Sequence, residues 1–442
     1  MNRFSFPAIL MATVCLAACS PNSPSSVQPN SGDPAWEGAL EPGDKITSIE
    51  DAPADLDTYD VQWNVTFPGG DSQTIVLSPD STSTDDSSAG PANSAIADAV
   101  GYLLSQQSED GGIKSKAYGV LRPGAATTAL ALYAIAHADE QTITKHREQL
   151  VKANEFLLRG LHEHKRVCAP DGTLDYPTYG AAMWLVAADR LDLELSVEDR
   201  QQLTQWIIDA QLTEAHDISR ENIQYGGWDL EATSGAKGEQ LKGTNISITS
   251  FALEALQDSM HEDAAATIKR AHDWVLRCQN EDGGFVFHVW RPHPGNKAMW
   301  TDESQGHAIS YATPTCDGVR CLHYCGADAD DESLTEGLHW LAEHPDVETV
   351  PGFESKAKET GWSDGLRYYY YFTQAKSLPL LPAMEASRRA AALEKLLYKE
   401  QARDGSYRND QPRMFEDDPI LATGLALVAL SVANEYADKP KE

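Results

Sequence analysis

The chain has 442 residues, with 35 basic and 67 acidic side chains giving a net charge of −32. Such an excess of negative charge argues against nucleic acid and anionic lipid surfaces as partners, and it favours solubility.

The N-terminus indicates a compartment before any fold is considered. Arg3 supplies a short positive region, residues 4–16 form an apolar run too short to span a bilayer as a mature helix, and small residues precede Cys19. These are the marks of a secretory signal. The tetrad Leu16-Ala17-Ala18-Cys19 resembles the lipobox of bacterial lipoproteins. That resemblance implies cleavage after residue 18, a diacylglycerol on the Cys19 thiol, and a chain held to a membrane through that residue. Ser20 stands where lipoproteins kept in the inner membrane carry Asp, so the resemblance implies the outer membrane, facing the periplasm or the cell surface.

Residues 19–92 are rich in Ser, Pro, Asp, Gly and Thr, too poor in large apolar side chains to offset the entropy of ordering, and read as a tether. Within it Val61, Trp63, Val65 and Phe67 alternate with polar residues, Gly69 and Gly70 offer a turn, and Thr74 to Leu77 follows, which predicts a small hairpin. Residues 93–437 form the main domain and 438–442 a tail. With Cys15 lost and Cys19 lipidated, Cys168, Cys278, Cys316, Cys321 and Cys325 remain. An odd set in an oxidising compartment makes no disulfide framework, and at least one thiol is free or pairs between chains.

The main domain is built on a recurring loop. Gln107-Ser-Glu-Asp110-Gly111-Gly112, Gln279-Asn-Glu-Asp282-Gly283-Gly284-Phe285 and Gln401-Ala-Arg-Asp404-Gly405-Ser-Tyr407 share the pattern Gln-x-x-Asp-Gly. Amphipathic helices precede it: Ile268, Ala271, Trp274, Val275 and Cys278 recur at helical spacing, as do Leu203, Trp206, Ile207 and Ala210. The segments that follow, 125–138, 246–256 and 420–432, are apolar nearly all round and predict buried helices. Aligning Thr128, Thr249 and Thr423, and then Tyr179, Asp317 and Asp364, gives six outer-inner hairpins.

Six hairpins joined by Gln-x-x-Asp-Gly-Gly-aromatic loops resemble the α/α toroid of squalene and oxidosqualene cyclases and of protein prenyltransferase β subunits. The expected fold is therefore all-α, an (α/α)6 toroid. The paired glycines, 111–112, 226–227 and 283–284, are expected to permit positive φ, and Trp228, Phe285 and Tyr407 to pack between outer helices. The family's chemistry transfers poorly. Class II cyclases open an inner helix with Asp-x-Asp-Asp, whereas Asp328-Ala-Asp330-Asp331 follows an inner helix and precedes an outer one, where Ser333 and Glu336 predict a capping box. Prenyltransferases hold zinc with Asp-x-Cys and a later His; Cys316-Asp317 has the reverse order, and Cys321 and Cys325 share a helix face that His323 does not. No metal and no cofactor are expected. Thioester-containing relatives use Gly-Cys-Gly-Glu-Gln, but Lys237 replaces the thiol in Ala236-Lys237-Gly238-Glu239-Gln240.

The remaining candidate centre is the start of inner helices four and five. Asp317-Gly-Val-Arg320 and Asp364-Gly-Leu-Arg367 occupy matched repeat positions and are expected to face one end of a central cavity, with the Asp residues as acid or base and the Arg residues stabilising charge. Tyr368, Tyr369, Trp290, His293, Trp300 and His307 are expected to line it as ligand-binding groups. The plainer reading is that each Asp caps its helix and pairs with its own Arg three residues on. Three functions remain: a lipid-anchored toroid at the envelope that binds a ligand in its central cavity, an enzyme acting on an isoprenoid or a glycan through Asp317 and Asp364, and a partner-binding scaffold. The expected partners are the membrane, through Cys19, and a small-molecule, glycan or lipid ligand.

Overall fold

The computed structural model describes residues 61–66, 72–77, 91–230, 243–289, 293, 295–299, 308–353 and 359–437. The signal segment, Cys19, most of the tether, Trp290, Trp300, His307, Lys237 and the tail lie outside the described residues. The chain divides into two units, residues 1–89 and 90–442. In the first, β1 (Val61–Thr66) pairs antiparallel with β2 (Ser72–Leu77), Trp63 opposite Ile75, as the alternation predicts.

The second unit is the toroid. In chain order its helices are α1 (Pro91–Ser105), α2 (Ala125–Ile135), α3 (Glu140–Lys145), α4 (Arg147–His164), α5 (Pro177–Arg190), α6 (Val197–Asp209), α7 (Ile246–Leu256), α8 (Ala264–Leu276), α9 (Ala312–Tyr324), α10 (Glu332–Glu343), α11 (Trp362–Gly365), α12 (Arg367–Ser377), α13 (Ala383–Glu400) and α14 (Pro419–Ala437). The inner helices are α2, α5, α7, α9, α12 and α14; each packs on the next, and α14 packs back on α2, so the ring closes. The outer helices α1, α4, α6, α8, α10 and α13 present one apolar stripe inward. In α8, Ala271, Trp274 and Val275 are buried while Lys269 and Asp273 face solvent. Every residue of α2 is buried, because an inner helix meets protein on all sides. α14 is long and apolar enough to cross a membrane, but its apolar stretch is 72% buried inside the ring, so it is a core helix.

The recurring loop performs the same hydrogen bonding in each copy. Gln107, Gln279 and Gln401 donate from Nε2 to the carbonyl of the glycine four residues on, and across to the N-terminal region of another outer helix: Gln149 O (2.9 Å), Ser333 O (2.8 Å) and Ala95 O (2.8 Å). Gln211 does likewise, to Gly226 O and Thr267 O (2.9 Å), with an insertion between the Gln and its glycines. The loop also grips the inner helix behind it. The backbone N–H of Ile113, Trp228, Phe285 and Tyr407 donates to the hydroxyl of Thr128, Thr249, Thr315 and Thr423. Only the first glycine of each pair has positive φ, as at Gly111 (93°). The second is needed for close approach: a Cβ on Gly227 would sit 2.6 Å from the Trp274 ring.

The acidic tetrad is a helix cap, but from a different residue than the capping box predicts. Asp331 is the N-cap of α10 and accepts from Leu334 N (2.9 Å); Ser333 lies inside the helix, which starts two residues earlier than its pattern suggests.

The seam between the last hairpin and the first runs through Gln401. Replacing it by alanine (Gln401→Ala) leaves the carbonyls of Ala95 and Gly405 without this donor, and should lower the unfolding free energy in urea by about 1–3 kcal/mol while the transition stays cooperative. An unchanged midpoint would show that the first and last hairpins are not coupled through this residue.

Candidate functional site

The candidate residues are set by position along the inner helices. Tyr179, Ser247 and Tyr369 lie within the first turn of α5, α7 and α12; Asp317 lies mid-way along α9; Glu254 and Lys376 lie in the last turn of α7 and α12, with Arg190 ending α5. Ser247 and Glu254 are seven residues apart, so the two levels are separated by about 10 Å along the axis.

At the upper level a chain of hydroxyls leads to a carboxylate. Tyr179 Oη is 2.8 Å from Ser247 Oγ, which is 2.5 Å from Tyr369 Oη, and Tyr369 donates to Asp317 Oδ2 at 2.6 Å. Asp317 Oδ1 accepts from Thr373 Oγ1 at 2.6 Å and from Arg320 Nη1 at 3.1 Å. Burial pushes the Asp317 carboxyl above the usual range, with Arg320, Thr373 and Tyr369 opposing the shift. Lys297 is buried near this level, its amine 3.7 Å from the centre of the Phe287 ring; burial lowers it to about 7, against the pull of Asp317.

The lower level is an ion cluster. Glu254 receives Lys376 Nζ (2.7 Å) and Tyr133 Oη (2.8 Å) and pairs with Arg320 Nη2 (3.5 Å) and Arg190 Nη2 (3.7 Å). Burial would raise the Glu254 carboxyl, but Lys376 and Arg320 outweigh it and hold it at about 2. Between the levels Phe251 and Phe372 stack with centroids 5.5 Å apart and planes 5° from parallel, with Tyr133 and Tyr179 edge-on to Phe251. The Arg320 guanidinium lies 5.4 Å from the Phe372 ring. Side chains therefore occupy the axis. Two pockets, about 310 Å³ beside Asp282, Trp340 and Phe353 and about 300 Å³ beside Gln205, Thr213 and Arg270, open against outer helices, and neither shares a lining residue with the axis.

The two Asp-Gly-x-Arg turns are not equivalent, and this corrects the expectation that they face one cavity. Asp317 is the sixth residue of α9 and fully buried, whereas Asp364 is exposed in the one-turn α11, its backbone carbonyl accepting from Asn409 Nδ2 (2.7 Å). Their common sequence hides a register difference: Thr315, two residues before Asp317, holds the loop as Thr128, Thr249 and Thr423 do, so Asp317 matches Leu130, Phe251 and Leu425. Asp317 is paired with its own Arg320 as the plainer reading has it, but it caps nothing. No ion pair joins Asp364 to the half-buried Arg367 among the described residues.

Tyr369 belongs to the axis, while its neighbour Tyr368 points into the outer layer, against Tyr407 and Tyr371, with its hydroxyl toward Arg408 O (3.4 Å). The His293 ring lies against His288 with centroids 3.8 Å apart and planes tilted by 49°, and its Nδ1 accepts from Gly295 N. Cys316 and Cys321 pack in the core, the Cys321 thiol 3.9 Å from Ile246 O, while His323 is exposed; this is packing rather than a ligand set. Glu254, Lys376 and Tyr133 are absent from the candidates drawn from sequence. The available signal was Glu254 itself, a single charge within the apolar run of α7.

Residues 176–291 match the family described as the squalene-hopene cyclase C-terminal domain. Among solved structures the chain is similar to the type II terpene cyclase MstE from Scytonema in complex with geranylgeranyl dihydroxybenzoate, at 17% identity over 78% of this chain and 98% of that one, TM-score 0.50. A protein from Actinoplanes matches at 12% identity over 78% and 99%, TM-score 0.50. The fold is that of the terpenoid-cyclase-like α/α toroids. An alpha-1,6-mannanase of Salegentibacter aligns at 13% identity over 78% and 100%, TM-score 0.47. No curated protein matches the sequence. At such identities the likeness speaks for the fold alone.

The difference between the two aspartates is measurable. Asp317→Asn weakens a buried pair and should cost about 3 kcal/mol in urea unfolding, whereas Asp364→Asn at an exposed position should change stability by no more than about 0.5 kcal/mol. Equal costs would contradict the placement of Asp317 in the axis.

Proposed function

We propose that this protein is a recognition toroid displayed at the bacterial envelope, with a rigid filled ring as scaffold and its ligand site at the end where the inner helices begin. The observation that carries this reading is the occupied axis. A polyprenyl chain needs a chamber of several hundred Å³, on the order of what small-molecule sites enclose, whereas Tyr133, Phe251 and Phe372, from alternate inner helices, meet one another across the axis. What faces outward is a rim of half-buried Tyr176, Tyr179, Tyr369 and Trp362, with the Arg413 guanidinium 4.8 Å and the Lys297 amine 5.5 Å from the Trp362 ring centre. Rings with adjacent cations suit a polar ligand with faces to stack, such as a glycan, better than an isoprenoid. Envelope attachment through a lipid on Cys19, most consistent with the outer membrane, is supported by the Leu16-Ala-Ala-Cys19 tetrad and the polar residues that follow it.

An enzymatic reading has one specific observation in its favour. The hydroxyl chain from Tyr179 to Asp317 could carry a proton between the rim and a buried carboxyl whose pKa is raised. In that reading Asp317 is the acid or base, Arg320 sets its charge, and Asp364 has no part.

Native mass spectrometry of the purified protein, offered an envelope lipid extract and an envelope glycan fraction, separates these readings. Retention of a glycan, weakened about tenfold or more by Trp362→Ala, is the expected result. Stoichiometric retention of an isoprenoid would overturn the filled-axis reading. Turnover lost in a folded Tyr179→Phe variant would put the enzyme first.

A further inference from the structure

We propose that the opposite end of the ring, where the inner helices terminate, is a second site that binds a small oxyanion, a carboxylate or a phosphate monoester, on the solvent-exposed side of Arg190 with the charge of Lys376 behind it. It rests on observations separate from those at the rim. Three cations converge on the single carboxylate of Glu254: Lys376 at 2.7 Å, Arg320 at 3.5 Å and Arg190 at 3.7 Å. Arg320 has a second countercharge in Asp317, but Glu254 is the one carboxylate paired with Arg190 and with Lys376 among the described residues. The side chain between them cannot help. His137 donates from Nδ1 to Tyr133 O (2.9 Å), and its Nε2 faces Arg190 Nη1 (2.6 Å) and Lys376 Nζ (3.4 Å), so the imidazole is neutral. Burial and the two cations keep it so, pushing His137 well below its usual range.

Helix ends give part of the explanation for this surplus. Arg190 ends α5 and Lys376 lies in the last turn of α12, where terminal carbonyls favour cations. That effect is worth about 0.3–1 kcal/mol at a surface, and it does not explain a lysine whose side chain is only 9% exposed, lowered to about 8 by burial despite Glu254. A further anion would supply what is missing. The Arg190 side chain is 41% exposed, so solvent reaches its guanidinium, and a planar fork donates two parallel hydrogen bonds to a carboxylate or phosphate. Arg320 beneath is 1% exposed with an Nε that has no hydrogen-bond partner among the described residues, and the three cations of this layer share two carboxylates, Glu254 and Asp317.

Isothermal titration of the full chain with inorganic phosphate and, separately, with acetate, at low ionic strength in chloride, tests the site. The expected result is saturable one-to-one binding of at least one of them, weakened about tenfold or more in Arg190→Gln and in Lys376→Met, and unchanged in Arg367→Gln at the other end. Binding of phosphate alone assigns a phosphate monoester, and binding of acetate assigns a carboxylate. If Lys376→Met does not fold, Arg190→Gln decides, because its partly exposed side chain is not needed for packing. Saturable binding of neither anion, or binding that survives Arg190→Gln undiminished, overturns the proposal.

Discussion

The ring depends on one buried guanidinium. Arg320 carries its charge into the axis of the toroid with 1% of its side chain exposed, a placement that costs several kcal/mol unless the charge is paired and hydrogen-bonded. Two carboxylates meet it from two inner helices, Asp317 on its own helix and Glu254 on α7, and the Phe251 and Phe372 rings stand beside it. Thr373 on α12 holds both Asp317 and Arg320, so the Arg320 side chain ties three consecutive inner helices, α7, α9 and α12, together. Repeats that contact only their neighbours would otherwise leave the axis of such a ring to apolar packing alone.

A second device fixes the outer layer. Each Gln in the recurring loop spans from one outer helix to another, and each Thr of the inner helix receives the N–H of the loop residue that closes the turn. The bonds are sequence-cheap, needing one Gln, one Thr and two small residues per repeat, and they fix both radius and register. Rigidity from the loops and charge pairing along the axis together give a ring whose distinguishing chemistry lies at its two ends: hydroxyls and aromatic rings where the inner helices begin, and cations where they finish.

The architecture was legible in sequence because its determinants repeat. The Gln-x-x-Asp-Gly loops, the all-apolar inner helices and the aligned Thr128, Thr249 and Thr423 identify six hairpins, and Trp228, Phe285 and Tyr407 are buried where the loop pattern puts them. Gln211 escaped because an insertion separates it from Gly226, and Thr315 because its helix continues into polar residues. The site was harder to read. Asp317 and Asp364 share a tetrapeptide but not a register, and short identity says nothing about which turn of a helix a residue occupies. Arg320 was found only through its neighbour in sequence, while Glu254, Lys376 and Tyr133 come from other repeats, brought together by ring closure that no local pattern encodes.

A filled axis also separates this toroid from a container. Phe251, Phe372 and Tyr133 meet across the axis, and the proposed ligand sites are accordingly at the ends of the ring. The central claim is that Arg320 and Glu254 act as one unit in that axis. The most direct test is a double-mutant cycle on urea unfolding with Arg320→Met, Glu254→Gln and both together. A coupling energy of at least about 1 kcal/mol, with the double variant less destabilised than the sum of the singles, is predicted. Additive effects within about 0.5 kcal/mol would contradict the account.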